Sequence, residues 1–103
     1  MPDKKIHDDY HKISDKRGNG QLRREVWVDK HGKVTRYNLA YINHLIYPGD
    51  NGRVIGYDSA HGQPHRHYMG EVAPVRLSSF QRIEARFQKE WSRLARQAKY
   101  AKD

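Results

Sequence analysis

The chain has 103 residues, of which 36% are hydrophobic and 31% charged, so its length allows one small domain with one modest core. Twenty Lys and Arg against twelve Asp and Glu give a net charge of +8, an excess that favours polyanionic partners such as RNA, DNA or an acidic protein. The absence of cysteine excludes disulfides, Cys-ligated zinc and a Cys nucleophile. Because neither a secretory signal nor a stretch long enough to span a membrane is found, we expect a cytoplasmic protein with no membrane partner.

The first elements in chain order are an arm and a hairpin. Residues 1–20 mix charge, histidine and glycine with few apolar side chains, and we expect a mobile N-terminal arm there. Residues 22–28 alternate between apolar and polar, and a turn signal at Asp29–Gly32 precedes a second strand over 33–43. These two strands predict a β-hairpin at the start of a single domain over 21–98.

Two further strands are expected after a dense turn signal. Pro-Gly followed by Asn-Gly over 48–52 separates the hairpin from a third strand over 53–58. A fourth strand is expected over about 66–72, and Pro74 ends or bends it because proline cannot donate to a ladder.

The last third of the chain predicts an amphipathic helix over about 79–98, followed by a frayed tail at 99–103. Ser78 or Ser79 is the candidate N-cap, and Ser78 with Gln81 matches a capping box. Apolar side chains form one stripe at steps of three and four residues: Phe80, Ile83, Phe87, Trp91, Leu94 and Ala98. Basic side chains recur half a turn away and form a candidate phosphate-binding surface: Arg82, Arg86, Lys89, Arg93 and Arg96.

These elements predict an α+β fold. An antiparallel sheet of about four strands would be covered on one face by the C-terminal helix, whose aromatic side chains would supply much of the core. The other face of the sheet would be open, covered by the N-terminal arm, or buried in a homodimer.

A histidine-rich stretch lies between the third and fourth predicted strands. Three of the seven histidines fall within seven positions: His61, His65 and His67. An acid, an arginine and two tyrosines accompany them: Asp58, Arg66, Tyr57 and Tyr68. On a strand, His65 and His67 would share one face, about 7 Å apart. Arg66 and Tyr68 would then lie on the other face.

The first interpretation of this stretch is metal-independent cleavage of RNA. That reaction needs a base for the 2′-hydroxyl and an acid for the leaving oxygen, and we assign both proton transfers to His65 and His67. Arg66 would hold phosphate oxygens, while Asp58 would fix the tautomer of His61 or His65. Two aromatic side chains would stack on a base or donate a hydrogen bond to it: Tyr57 and Tyr68.

Two other interpretations stay open. His65, His67 and Glu71 have the spacing of ligands in double-stranded β-barrel metalloproteins, although such a barrel needs more strands and a distant further ligand, for which His44 is the obvious candidate. Alternatively the stretch is structural, with Asp58 capping the turn and the histidines hydrogen-bonded. Our expectation is a protein without a cofactor.

The run Arg53–His67 resembles the TumE-type toxins of bacterial toxin–antitoxin pairs. In that family a strand ends in an aromatic-Asp-Asn-Ala-Pro-His-like run, followed by Pro-His-basic-His. The matching positions are Tyr57, Asp58, Ala60, His61, Pro64, His65, Arg66 and His67. Ser59 stands where Asn is typical, and Gly62–Gln63 replaces a longer spacer. The resemblance implies a small α+β protein that acts on RNA under the control of an antitoxin, with these site residues: Asp58, His61, His65 and His67.

We therefore expect an RNA-directed protein, with metal-independent ribonuclease activity as the catalytic hypothesis. The alternative is a non-catalytic module whose basic helix face docks nucleic acid or an acidic protein. The expected partners are RNA, an antitoxin or another acidic protein, and a second copy of the chain.

Overall fold

The computed structural model describes residues 3–59, 63–76 and 79–101. Its elements are β1 Lys4–Lys12, a 3₁₀ turn Asp15–Arg17, β2 Gln21–Val28, β3 Val34–Ile42, a 3₁₀ turn Asp50–Gly52, β4 Arg53–Asp58, β5 His65–Tyr68, β6 Glu71–Pro74 and α1 Phe80–Ala101. The strands form one antiparallel sheet in the order β1-β2-β3-β4-β5-β6. The α+β class and the single C-terminal helix are confirmed, but the sheet has six strands rather than about four.

Strand β1 occupies most of the segment that we expected to be a mobile arm. It pairs with β2 from Lys4 opposite Val28 to Lys12 opposite Gln21. All nine of its residues are exposed, so it carries no apolar alternation that would have indicated a strand. Cross-strand charges complement the backbone ladder, as in the 2.6 Å contact of the Lys5 ammonium with Glu25. The segment expected to be a mobile arm is therefore an edge strand of the sheet over Lys4–Lys12.

The expected fourth strand is two short strands joined by a tight turn. Met69 and Gly70 connect β5 to β6 with φ angles of 45° and 86°, which is the backbone of a type I′ hairpin turn. Gly suits such a turn, but methionine rarely adopts a positive φ. The Met-Gly pair therefore lacked the turn signal that Asn-Gly would have given.

Helix α1 buries its apolar stripe against the middle of the sheet. The buried contacts come from α1, β3 and β4: Ile83, Phe87, Leu94, Ala95, Leu39, Tyr41, Ile55 and Tyr57. Phe87 meets the Tyr57 ring edge-on at 6.3 Å, and Trp91 lies 6.0 Å from the Tyr41 ring. The predicted stripe is thus confirmed as the core-forming face.

The helix begins and ends close to the expected positions. The Oγ atom of Ser79 accepts a hydrogen bond from the backbone N–H of Arg82 at 3.2 Å, so Ser79 is the N-cap. The capping box with Ser78 lies outside the described residues. The helix continues to Ala101, where a frayed tail was expected. No helix in the described ranges has the length and apolar character needed to cross a membrane.

The strand register gives the sheet two unlike faces. One face carries the core side chains under α1. The other, which we call the open face, carries two rows of paired positions: His67, Gly56, Ala40 and Arg23, and His65, Asp58, Asn38 and Glu25. Within the described ranges no helix covers the open face. The predicted site residues are divided between these faces.

Candidate functional site

Strand β5 sends predicted site residues to both faces of the sheet. His67 lies opposite Gly56, and His65 lies opposite Asp58, so both histidines are on the open face. Arg66 and Tyr68 lie on the helix side. This confirms the expected alternation. His61 belongs to residues 60–62, which lie outside the described residues.

The end of strand β4, just before residues 60–62, is held by two hydrogen bonds to β3. The backbone N–H of Tyr37 donates to Ser59 Oγ at 2.9 Å, and the N–H of Ser59 donates to the Tyr37 carbonyl at 3.2 Å. Ser59 itself is buried. The position at which the sequence departs from the TumE pattern therefore anchors the end of the strand to β3.

On the open face, His67 is held between an arginine and a carboxylate. Nη2 of Arg53 lies 3.0 Å from Nδ1 of the ring. A guanidinium can only donate, so Nδ1 accepts and the ring proton is on Nε2. That Nε2 lies 2.7 Å from Oδ2 of Asp58. Arg53 also contacts Asp50 through Nε at 2.8 Å.

The arrangement around His67 depends on the glycine opposite it. A Cβ atom at Gly56 would lie 2.9 Å from Cδ of Arg53 and 2.7 Å from the Leu39 carbonyl oxygen. Glycine therefore lets the arginine lie across β4 and reach His67. Nδ1 is engaged by Arg53, so this nitrogen cannot take a proton from an external hydroxyl unless Arg53 moves. The sequence had paired Asp58 with His61 or His65, and it did not identify Arg53 as a partner.

The rest of the open face largely neutralises its own charge. Glu25 lies 2.6 Å from the Lys5 ammonium and 3.2 Å from the Arg23 guanidinium, and it accepts a hydrogen bond from the Asn38 amide at 3.0 Å. Arg23 also forms an ion pair with Asp8. Burial acts to raise the pKa of Glu25, but its hydrogen bonds with Lys5 and Asn38 and the Arg23 charge lower that pKa. The open face is thus a poor match for a polyanion.

On the helix side, Arg66 binds an acid that the sequence had not singled out as a site residue. Nη2 of Arg66 lies 2.5 Å from Oε2 of Glu90, and its Nε lies 3.2 Å from the Tyr57 hydroxyl. That hydroxyl in turn donates to Glu90. We call these three residues together with Arg86, whose Nε lies 3.8 Å from Oε1 of Glu90, the Glu90 cluster. A sequence signal exists, because Glu90 lies three residues after Phe87 and four before Leu94 on the buried side of α1.

The Glu90 cluster determines the protonation of its buried members. Burial, together with the neighbouring Glu90, raises the pKa of Tyr57 to about 12. Burial acts to lower the pKa of Arg66, but Glu90 and Tyr57 outweigh it and raise that pKa. At neutral pH the cluster therefore holds a neutral phenol and charged guanidinium groups.

The two predicted stacking tyrosines are placed differently from what we expected. Tyr57 is 0% exposed beneath α1, so stacking on a nucleic-acid base does not fit its position, and that assignment is wrong. Tyr68 is partly buried, and the Arg66 guanidinium lies 5.2 Å from the centre of its ring.

The basic helix face is a row of cations with few acidic partners in the described chain. Its five members are all exposed: Arg82, Arg86, Lys89, Arg93 and Arg96. In the described part of the chain, Arg86 is the member that contacts an acid. Both acids of α1 are directed to strand residues, since Glu84 lies 2.7 Å from Arg24 and Glu90 binds Arg66. The predicted segregation of charge on the helix is confirmed.

The predicted metal ligands do not come together. His65 and His67 face away from α1, whereas Glu71 pairs with Tyr68 and so lies on the helix side of β6. Among the described residues no group of three or more His, Asp or Glu side chains could hold a metal ion. His44 lies against Gly52 in the β3–β4 connection. The His65, His67 and Glu71 site is therefore wrong.

Comparison of the chain with protein-family models, curated proteins and solved structures finds no match in any of the three. The resemblance of Arg53–His67 to TumE-type toxins consequently stays a prediction.

Proposed function

We propose that the protein binds RNA through the phosphate backbone and that the basic helix face is the contact surface. The supporting observation is the pairing of Glu84 with Arg24 and of Glu90 with Arg66, which takes both acids of α1 away from the exposed side. Cations therefore remain along that side without an interspersed acid.

The dimensions of this face suit an extended polyanion. From Arg82 to Arg96 the helix rises by about 21 Å at 1.5 Å per residue. Five phosphate contacts on a single strand would give a salt slope of about −3.5 in a plot of log affinity against log salt. Contacts of this kind give affinity without sequence selectivity. RNA is named over DNA because of the TumE resemblance, and an acidic antitoxin would compete for the same face.

Neutralising two helix arginines should weaken RNA binding and flatten its salt dependence. We expect the Arg93→Gln, Arg96→Gln double variant to reduce the slope by about 1.4 and to lower affinity about tenfold at low salt. The measurement is fluorescence anisotropy with a single-stranded 5′-hydroxyl oligoribonucleotide between about 50 and 200 mM salt.

The matched control removes two exposed cations from the β2–β3 turn, in the Lys30→Gln, Lys33→Gln double variant. It changes the net charge equally and should retain most of the slope. Equal losses in both double variants, or a wild-type protein that shows no salt-dependent binding, would contradict the proposal.

A second candidate function is metal-independent cleavage of RNA on the open face, which lies across the sheet from the basic helix face and would need its own contact with the substrate. The observation in its favour is the 2.7 Å contact of Asp58 with His67, a carboxylate–imidazole pair that has His65 on the same face. In this mechanism the Arg53 guanidinium would move from Nδ1 of His67 to the substrate phosphate. The freed Nδ1 would take part in one proton transfer, and His65 would supply the second.

His65→Ala should abolish cleavage while leaving the salt-dependent RNA affinity unchanged. The product should carry a 2′,3′-cyclic phosphate, and a chelator should have no effect. Asp58→Asn provides a second variant at the site, and thermal melting checks that both variants fold. Intact RNA after incubation with wild-type protein would exclude this candidate.

A further inference from the structure

A cavity of about 380 Å³ opens where the β5–β6 hairpin meets α1. Its lining is Arg66, Ala73, Pro74, Val75, Arg76 and Arg86. We call it the arginine pocket. Of the six described lining residues, three are arginines and none is acidic, which distinguishes this cavity from the self-compensating open face.

Among the described residues, Glu90 is the carboxylate that contacts the arginines of the pocket, and it is already engaged. Glu90 is 12% exposed and contacts Arg66, Arg86 and the Tyr57 hydroxyl. Three guanidinium groups and this one carboxylate leave a net charge of +2 around the cavity.

The donors of the pocket are partly preorganised. Nε and Nη2 of Arg66 are fixed by Tyr57 and Glu90, while Nη1 has no partner within the described ranges. Arg86 lies 5.9 Å from the centre of the Tyr57 ring. Arg76 is exposed and makes no hydrogen bond or ion pair with another described residue. A ligand would therefore meet two guanidinium groups that already contact Glu90, those of Arg66 and Arg86, and one that can turn towards it, that of Arg76.

We propose that the arginine pocket binds a phosphomonoester dianion, supplied by the end of an RNA strand or by a free nucleotide. A terminal phosphate carries nearly two negative charges and three acceptor oxygens, which matches a net charge of +2 better than an internal phosphodiester does. Arginine forks also bind phosphate oxygens bidentately. The volume lies within the roughly 300–1,000 Å³ of small-ligand sites, and Ala73 to Val75 give an apolar wall for a ribose.

The arginine pocket is continuous with the basic helix face through Arg86, which belongs to both. A strand that follows the helix arginines towards the N-terminal half of α1 would bring its end to the pocket. The inference rests on the proposed function for its RNA ligand, but the pocket also makes a prediction for free phosphate compounds.

The test compares 5′-phosphorylated, 3′-phosphorylated and 5′-hydroxyl forms of one oligoribonucleotide by fluorescence anisotropy. We expect the wild-type protein to prefer one phosphorylated end by about tenfold, which corresponds to about 1.4 kcal/mol. Arg76→Gln should bring this preference close to one while leaving the affinity for the hydroxyl form within about twofold. Arg76 is the residue of choice because its loss leaves the Glu90 cluster intact.

The matched control is Arg93→Gln, which removes the same charge from the helix face outside the pocket. It should weaken all three oligonucleotides equally and keep the preference. Equal binding of all three forms by wild-type protein would overturn the pocket assignment and leave backbone binding standing. A preference that survives Arg76→Gln would also overturn it.

A second readout separates free nucleotides from strand ends. Inorganic phosphate or AMP, but not adenosine, should raise the melting temperature of wild-type protein and have less effect on Arg76→Gln. This result without any RNA binding would support the pocket and contradict the backbone proposal. No shift with either compound and no preference among the oligonucleotides would refute the phosphomonoester site.

Discussion

Two buried tyrosines on neighbouring strands differ in whether the hydroxyl group is hydrogen-bonded. The hydroxyl of Tyr57 donates to Glu90 and accepts from Arg66. The hydroxyl of Tyr37 is buried and has no hydrogen-bond partner in the described part of the chain, while its ring packs 5.1 Å from Phe80. An unsatisfied buried hydroxyl costs stability, whereas a satisfied one contributes to it.

Removing each hydroxyl should therefore change stability in opposite directions. We expect Tyr37→Phe to leave the free energy of unfolding unchanged or to raise it by up to about 1 kcal/mol, because no hydrogen bond is lost. Tyr57→Phe should lower it by about 1–3 kcal/mol, because Glu90 loses a donor in a mostly buried position. Urea unfolding measures both, and a larger loss for Tyr37→Phe would contradict the assignment.

At this scale the sequence predicted which residues share a face but not their partners. The two-residue period of a strand placed His65 and His67 together. The contact of Tyr57 with Glu90 joins residues 33 positions apart, and that of Arg53 with His67 joins residues 14 apart. Such contacts depend on strand register and on the placement of α1, which no local pattern specifies.

At the scale of elements, the β1–β2 connection docks closely on α1. Gly18 has a φ of +112°, and a Cβ atom there would overlap the carbonyl group of Ala95. Ile13, at the start of the same connection, is 1% exposed in the core. The connection thus fixes the far end of the helix even though β1 itself buries nothing.

Gly18→Ala should destabilise the protein by more than its backbone conformation alone explains. The control is Gly32→Ala, since Gly32 also has a positive φ, +80°, but a Cβ atom there would meet nothing within 4 Å. We expect Gly32→Ala to lower the free energy of unfolding by about 1 kcal/mol. Gly18→Ala should lower it by at least about 2 kcal/mol more, because α1 must move to make room for the new Cβ atom. Equal losses in urea unfolding would show that the close approach of the helix is unimportant.

Elements with a strong local pattern were predictable, and elements without one were not. The β2–β3 hairpin and α1 combine hydrophobic periodicity with turn or cap residues. β1 is exposed on both faces, so its pairing follows from the ladder and from charges on β2. The division of β5 from β6 rests on a methionine with a φ of 45°, a conformation that its side chain disfavours.

At the scale of the whole molecule, two buried tyrosine hydroxyls link the stability of the fold to pH. Burial raises the pKa of Tyr37 to about 12, with a contribution from Asp58, and the pKa of Tyr57 is also about 12. In the unfolded chain both would titrate near 10. Between these values the folded state holds more protons than the unfolded state.

The free energy of unfolding should therefore fall as pH rises from 10 to 12. Below pH 10 both the folded and the unfolded state keep the phenol protons, so the contribution of the two buried hydroxyls to the free energy of unfolding is fully present. Within the window each tyrosine lowers stability by up to about 1.4 kcal/mol per pH unit. Urea unfolding at pH 9, 10 and 11 tests this, with Tyr37→Phe expected to show a shallower fall. Identical pH dependence in the two proteins would contradict it.

The neighbour-to-neighbour order of the strands bears on how the protein is made. Each strand pairs with the one preceding it, so the sheet can grow hairpin by hairpin as the nascent chain leaves the ribosome. Among the described elements α1 is the last to emerge, and until then Leu39 and Ile55 have no helix over them. A translational pause ahead of Phe80 would therefore prolong the interval in which the growing polypeptide depends on chaperones.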